Sequence, residues 1–117
     1  MKNPINILFV LILIVSISSC GVEPKNLVPK EYTTGQAKFH KSCANCHGPD
    51  AMGGNRAPNL TQERFAPSNY SNESFTGTII NGSSSGAMPS QKGRVSGKEI
   101  GEIIKYIRYV QQEAGLT

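Results

Sequence analysis

The residues best suited to chemistry lie in one stretch, Cys43-Ala44-Asn45-Cys46-His47. Positions three apart share one face of a helical turn, so the two thiols can reach a common partner. Two cysteines at this spacing, followed at once by histidine, form the attachment motif of a c-type haem. The thiols suit the two vinyl groups of the porphyrin, and the imidazole suits the iron as proximal ligand. The motif therefore predicts one covalent haem c held by Cys43, Cys46 and His47.

Two other kinds of site use the same residue types. A redox C-x-x-C of the thioredoxin type needs a strand–helix–strand context, and no such pattern surrounds Cys43. A structural zinc site needs four ligands. The candidates are Cys43, Cys46, His47 and His40, which all fall within one short segment. Both interpretations are weaker than haem attachment.

On this motif the sequence resembles a small single-haem cytochrome c of class I, in which histidine and methionine bind the iron. The resemblance implies Met88 as the second axial ligand, since a thioether suits haem iron and raises its reduction potential. Pro89 favours an extended backbone at Met88, and Gly86 would let the backbone pass close to the porphyrin. Met52 is the rival, but it follows His47 too closely to reach the opposite haem face, and we interpret it as loop filler.

The resemblance also implies residues that support the ligands. The backbone carbonyl of Pro58 is expected to accept a hydrogen bond from His47, which would fix the orientation of the ring. Arg56 is the nearest candidate for a haem propionate, with a solvent-facing arginine as the alternative. We expect His40 to be a solvated side chain on the proximal side rather than an iron ligand.

The helices that must position these groups follow from periodicity and capping. Thr33 or Thr34 is predicted to cap a first helix that runs to about Cys46, with an inner stripe of Gly35, Phe39 and Cys43. Residues 62–70 hold a short helix at best, with Thr61 as its cap. A further helix runs from Asn72 or Glu73 to Ile80, capped by Ser71 or Asn72 and ended by Asn81-Gly82.

The last helix has the strongest pattern. Ser96 and Glu99 form a capping box, and a 3.6-residue period then places five apolar residues on one face: Ile100, Ile103, Ile104, Ile107 and Val110. The outer positions go to Lys98, Glu102, Lys105 and Arg108. The resemblance implies that Tyr106 contacts Gly35 and Phe39 where the two terminal helices cross. No strand pattern occurs, so the predicted fold is all-α, the small cytochrome c fold with its N- and C-terminal helices crossing around the haem.

The N-terminal segment predicts export and anchoring. An apolar run from Ile5 to Ile17 is short for a membrane span and fits a signal peptide over residues 1–19. Ile17-Ser18-Ser19-Cys20 resembles a bacterial lipobox, which implies lipidation of Cys20; ordinary cleavage or an uncleaved anchor are the alternatives. Residues 20–32 are predicted to be a flexible tether, although part of 27–31 could pack on the domain. The cytochrome domain is assigned to residues 33–117.

Charge adds little about partners, because 12 basic and 8 acidic side chains give a net charge of +4. No basic run with interleaved aromatics occurs, so a nucleic-acid partner is not expected. With His47 and Met88 both bound to iron, no coordination position is open for a substrate. The predicted function is therefore single-electron transfer in a membrane-anchored respiratory chain, by an electron carrier rather than an enzyme.

The expected partners are a membrane-bound oxidase, reductase or dehydrogenase, on the periplasmic or extracytoplasmic side of a bacterial cell envelope. A free shuttle and a docked subunit of a respiratory complex are both compatible with the sequence. The alternative function is a haem enzyme, or a gas or redox sensor, with a displaceable sixth ligand.

Overall fold

The computed structural model describes residues 21–117, so the predicted signal peptide (1–19) and the candidate lipidation site Cys20 lie outside the described range. The described chain contains no strand, and it forms α1 (Thr33–Ser42), α2 (Ala44–His47), α3 (Asn72–Asn81) and α4 (Gly97–Glu113). Turns of 3₁₀-helix cover Lys30–Tyr32, Pro49–Ala51 and Glu63–Phe65. The predicted all-α fold class is confirmed. Over residues 21–117, no helix is both long and apolar enough to cross a membrane.

Helix α4 forms as its sequence pattern predicts. The Ser96 hydroxyl accepts a hydrogen bond from the Glu99 backbone N–H, and the Glu99 carboxylate accepts one from the Ser96 N–H at 2.8 Å. This capping box satisfies two N–H groups that the first helical turn leaves free. The apolar stripe is buried: Ile100, Ile103, Ile104, Ile107 and Val110. A helix that is long, capped and strongly amphipathic is thus set mainly by local sequence.

Helices α1 and α4 cross in close contact. A Cβ on Gly35 would collide with the Glu102 backbone oxygen and would lie 2.8 Å from the Tyr106 Cβ. Phe39 is fully buried, and its ring centroid lies 5.5 Å from that of Tyr106. Lys38 Nζ also lies 2.7 Å from Glu99 Oε1, which joins the two helices at their edge. The expected contact of Tyr106 with Gly35 and Phe39 is confirmed.

The start and end of the first helix differ from the prediction. Neither threonine supplies a side-chain cap; Thr33 is already helical, and its hydroxyl donates to the Lys30 carbonyl at 2.7 Å. The preceding 3₁₀ turn leads directly into α1, so no side-chain acceptor is used there. Cys43, with φ −122° and ψ −36°, interrupts the helix before α2.

Residues 25–32 also differ from the predicted flexible tether. The carboxylate of Asp50 accepts hydrogen bonds from the Lys25 backbone N–H at 3.1 Å and from the Asn26 side chain at 2.8 Å. Gln36 of α1 donates to the Asn26 carbonyl at 2.8 Å, and Val28 is partly buried against the core. Packing on the domain therefore begins earlier than the alternative for 27–31 allowed.

The segment between the second and third helices is held by the C-terminal helix. Arg108, expected at an outer position, is half-buried and donates to the Phe65 carbonyl at 2.9 Å, to the Tyr70 carbonyl and to Asn72 Oδ1 at 2.8 Å. Gln111 donates to the carbonyls of Leu60 and Phe65, both at 2.9 Å. These bonds satisfy backbone carbonyl groups that accept no hydrogen bond within a helix.

The cap predictions for this segment have mixed outcomes. Ser71 caps α3 as predicted, accepting from the Ser74 N–H at 3.1 Å, and Gly82 ends the helix with φ +80°. Thr61 is not a helix cap. Its own backbone N–H donates to Asn59 Oδ1 at 2.7 Å, a local side-chain turn that competes with helix formation.

Candidate haem centre

The chemically important residues converge on one cavity of about 750 Å³. Cys43, Cys46 and His47 reach it from α2 and the residue before it, and Met88 reaches it from the loop after α3. Apolar side chains from all parts of the domain form much of the wall: Phe39, Leu60, Phe65, Phe75, Ile79, Ile103 and Ile107. The volume lies within the range of small-molecule and cofactor sites, about 300–1,000 Å³. An apolar macrocycle with soft and nitrogen ligands fits this lining.

His47 is oriented by a loop that returns to it. Its Nδ1 lies 3.0 Å from the Pro58 carbonyl oxygen, the contact that the resemblance implies. Because a carbonyl can only accept, Nδ1 carries the proton, and Nε2 is the ring nitrogen left for a metal. The Gly53 N–H donates to the His47 carbonyl at 2.7 Å and closes the loop. Gly48 is required there, since its φ is +78° and a Cβ would collide with the Gly53 carbonyl.

Cys43 and Cys46 are both partly exposed at the cavity, and they form no disulfide with each other. Burial, and then the neighbouring Cys46, raise the pKa of the Cys43 thiol to about 11. A redox-active C-x-x-C thiol instead has a lowered pKa, because the thiolate is the nucleophile. In residues 21–117, no group of three or more His, Cys, Asp or Glu side chains could hold a metal ion. The thioredoxin and zinc interpretations therefore gain no support.

The Met88 loop is held by hydrogen bonds within itself and by a close backbone contact at Gly82, the residue that ends α3. Met88 is half-buried; its N–H donates to the Ser83 hydroxyl at 2.9 Å, and its carbonyl accepts from the Ser83 N–H at 3.0 Å. A Cβ on Gly82 would lie 2.6 Å from the Met88 carbonyl oxygen and 3.0 Å from the Ser90 nitrogen. Gly82 thus permits the close approach of the two ends of this loop.

Gly86 lies between Ser85 and Ala87, which both belong to the cavity wall, and its φ of +76° is a turn conformation that favours glycine. The expected passage of its backbone beside the porphyrin stays a prediction. The rival methionine, Met52, is 51% exposed and lies outside the cavity wall, with Thr61 Oγ1 3.9 Å from its sulfur.

Two arginines reach the cavity, and the described wall includes no acidic side chain. The sequence predicts Arg56 at this site, but it does not predict Arg64. Arg64 is oriented by a 3.1 Å hydrogen bond from its Nε to Gln62 and by the Phe65 ring, whose centroid lies 4.7 Å from the guanidinium carbon. Sequence offered no signal for Arg64, because the 3₁₀ turn that aims it has no periodic pattern.

His40 is the clearest correction among the candidate residues. It is 8% exposed rather than solvated, and it is not part of the cavity wall. Its Nδ1 lies 2.8 Å from the Gln36 carbonyl, and its Nε2 accepts a hydrogen bond from the Asp50 backbone N–H at 3.1 Å. The loop after His47 folds back over His40, a contact between residues ten apart that no local pattern encodes.

An all-α domain whose cavity gathers two thiols, an imidazole and a thioether defines a small c-type cytochrome. Residues 30–107 match the family described as cytochrome C oxidase, cbb3-type, subunit III, and the chain belongs to this family. Among solved structures, the fold is similar to the crystal structure of the c-type cytochrome XoxG from Methylobacterium extorquens AM1, with a TM-score of 0.59 and 25% identity.

The structural match covers 70% of this chain and 51% of the XoxG chain, so the chain spans about half of that protein. No curated protein matches the chain. The family and the structural neighbour confirm the predicted class, a monohaem class I cytochrome c, and its cofactor, covalently bound haem c. They also support haem-mediated electron transfer as its general activity.

Proposed function

We propose that the chain carries single electrons through a haem c attached at Cys43 and Cys46, with His47 and Met88 as its axial ligands. The observation that carries this proposal is the placement of all four side chains on one largely apolar cavity. When bound, haem c supplies reversible one-electron exchange at its iron. The protein's contribution is to fix both ligands, set their basicity and exclude water.

His47 and Met88 have separate roles in setting the potential. The hydrogen bond between Nδ1 and the Pro58 carbonyl fixes the tautomer of His47 and raises its basicity as a ligand. The thioether of Met88 raises the reduction potential relative to a second nitrogen ligand. The apolar wall lowers the local dielectric constant. A low dielectric constant disfavours the oxidised state, in which the iron carries the higher charge.

Arg56 and Arg64 are proposed to meet the haem propionates. They bring two positive charges to a described cavity wall that includes no acidic side chain. Replacing either arginine with glutamine should lower the midpoint potential and change its pH dependence, because a propionate would lose its partner. Arg94→Gln is the matched control, since Arg94 is exposed and lies outside the cavity wall. Equal shifts for all three variants would contradict this assignment.

The setting we propose is a bacterial cell envelope, with the domain on the extracytoplasmic side and a lipid on Cys20 after removal of residues 1–19. The family's description as an oxidase subunit supports membrane-bound redox partners, such as an oxidase, reductase or dehydrogenase. Lipid chains each contribute about 0.8 kcal/mol per buried methylene, and two or more give lasting anchorage. Anchorage would raise the effective concentration of the domain at such partners.

Lipidation is tested by expressing the full chain in a bacterium and fractionating its membranes. The haem-containing wild type should sediment with membranes and carry the mass of a lipidated Cys20. The Cys20→Ser variant should appear in the soluble extracytoplasmic fraction with its haem spectrum unchanged. A wild type that is soluble, with an unmodified N-terminus, would overturn the anchor while leaving electron transfer untouched.

Electron transfer is tested by redox-titrated visible spectroscopy of the purified haem-loaded protein. We expect one reversible one-electron step, and a weak long-wavelength band of the methionine–iron bond in the oxidised state. The reduced protein should bind carbon monoxide slowly or not at all, because Met88 occupies the sixth position. Rapid carbon monoxide binding with no methionine band would favour the haem enzyme or gas sensor instead.

A further inference from the structure

A buried polar cluster lies beside the haem-attachment segment and belongs to no part of the function described so far. Its centre is the Asp50 carboxylate, 4% exposed, which accepts hydrogen bonds from the Lys25 backbone N–H, the Asn26 side chain and the Tyr106 hydroxyl. Its other member is His40, whose Nε2 accepts from the Asp50 backbone N–H. In the described chain, every buried side-chain nitrogen and oxygen has a partner.

The hydrogen bonds assign one tautomer to His40. Nε2 accepts from the Asp50 N–H, so it carries no proton, and Nδ1 therefore donates to the Gln36 carbonyl at 2.8 Å. The ring is neutral in this arrangement. It links α1, through Gln36, to the loop that follows His47.

The backbone that this cluster holds is strained. Asp50 has φ +56° and Ala51 has φ +60°, and both lie in the left-handed region. Such residues cost about 1–3 kcal/mol each unless the surroundings fix them. Aspartate tolerates this conformation through local hydrogen bonds, whereas alanine has no such compensation. The contacts to Asp50 from His40, Lys25, Asn26 and Tyr106 therefore maintain a conformation that the chain would not adopt alone.

The strained residues connect directly to the support of the iron ligand. The Ala51 carbonyl accepts a hydrogen bond from the Leu60 N–H at 2.8 Å. Leu60 lies two residues beyond Pro58, whose carbonyl faces His47 Nδ1 at 3.0 Å. Rotation of the Ala51 peptide would release Leu60 and move Pro58 away from His47.

We propose that His40 and Asp50 are positioning residues for the axial histidine: they fix the backbone at Asp50–Ala51 and thereby hold the Pro58 carbonyl against His47. This role rests on the proposed ligation of iron by His47. The physical consequence lies in the potential. A histidine whose Nδ1–H is well bonded is a more basic ligand, which stabilises the oxidised iron. Loss of that bond raises the midpoint potential.

The test uses the haem-loaded full chain and compares His40→Leu with His40→Gln. Leucine fills the site but offers no acceptor to the Asp50 N–H, whereas the glutamine amide oxygen can accept in its place. We expect His40→Leu to raise the midpoint potential and to speed solvent exchange of the His47 Nδ1–H seen by NMR. His40→Gln should restore both values toward those of the wild type.

Two further variants keep the test decisive. Tyr106→Phe removes only the hydroxyl bonded to Asp50 and should shift the midpoint potential in the same direction by less, even if His40→Leu fails to fold. Val110→Ala is the control for lost stability, because Val110 is buried in the core but does not line the haem cavity. It should lower the melting temperature and leave the midpoint potential unchanged.

The outcomes separate this role from the proposed function. A lower melting temperature without a change in midpoint potential, in both His40→Leu and Tyr106→Phe, would show that the cluster is merely structural and overturn the proposal. A wild type that lacks the histidine–methionine spectrum would overturn the proposed ligands, and this role with them. A midpoint shift in His40→Leu that His40→Gln reverses would support it.

Discussion

The two sides of the haem cavity are built differently. The histidine side is enclosed: His47 is 9% exposed, its loop closes on the Pro58 carbonyl, and the buried Asp50 cluster lies beside it. The methionine side is an exposed loop, residues 83–90, whose hydrogen bonds are mostly internal and made by serines. One proposed axial ligand therefore depends on tertiary packing, and the other depends on a local turn.

This contrast predicts unequal strength of the two iron bonds. Local opening requires least free energy where buried contacts are few and hydrogen bonds are exposed. We therefore expect the methionine bond to break first under heat, denaturant or competing ligands, while the histidine bond survives until global unfolding. The predictions at Met88 and at Gly82 test this contrast directly, and the predictions at Gly35 and Glu99 test the crossing of α1 and α4; the largest expected effect comes first.

Removing the thioether should have the largest effect on the potential. Met88→Ala is expected to abolish the long-wavelength methionine–iron band and to lower the midpoint potential by roughly 0.1–0.2 V, a fraction of the ~0.8 V that axial ligands span. Redox titration followed by visible absorbance measures both. Met52→Ala is the control, because Met52 is exposed and outside the cavity wall. An unchanged spectrum in Met88→Ala would remove Met88 from the site.

Filling the helix crossing should have the largest effect on stability. Gly35→Ala places a methyl group against the Glu102 carbonyl and Tyr106, and overpacking of this kind costs about 1–3 kcal/mol. Thermal unfolding should show a melting temperature lower by several degrees. Gly101→Ala, where a Cβ meets nothing within 4 Å, should instead stabilise helix α4 by about 0.5–1 kcal/mol. Equal changes in both variants would argue against a close crossing.

A matched glycine pair tests the methionine loop. Both Gly82→Ala and Gly86→Ala carry a left-handed backbone cost of about 1–2 kcal/mol, since their φ angles are +80° and +76°. Only Gly82→Ala also pushes a methyl group toward the Met88 carbonyl. We expect it alone to weaken the methionine–iron band and to speed carbon monoxide binding to the reduced protein. Similar ligand effects from both would contradict the role of Gly82.

The smallest effect is a pH dependence at the helix crossing. Lys38, and then the Ser96 backbone N–H, lower the pKa of Glu99 to about 2. A lowered pKa means that the ionised carboxylate stabilises the fold above its ordinary pKa of about 4.3. That contribution is lost as the pH falls toward 2. Glu99→Gln should reduce the dependence of the melting temperature on pH over this range. Glu113→Gln, at the other end of α4, should keep the pH dependence of the wild type.

Where the interactions are local, the sequence was a sufficient guide. The capping box of Ser96 and Glu99, the apolar stripe of α4 and the Ser71 cap of α3 involve residues only a few positions apart, and all were predicted. The C-x-x-C-H motif is likewise contained in five residues, and the cofactor it predicted is confirmed by the family and the structural neighbour.

The errors arose where a side chain finds its partner at long range. His40 is buried because the loop through Asp50 folds over it, and Arg108 is drawn from its outer position by carbonyls more than 35 residues earlier in the chain. The close approach at Gly82 also depends on the completed fold, because the Met88 carbonyl that lies beside it belongs to a residue six positions further along the chain.

The hydrogen bond between the Asn26 side chain and the Asp50 carboxylate also limits how far the domain can move from a lipid anchor. If Cys20 carries the lipid, the chain from residue 20 to residue 26 spans at most about 20 Å when fully extended, and the packing of Val22 against the core shortens its free part further. A cytochrome tethered by so short a segment stays close to the bilayer surface and can reach only a small area of it. Its electron donor and acceptor must then have their redox centres close to the lipid headgroups, at a height above the membrane that the Asp50 carboxylate helps to set.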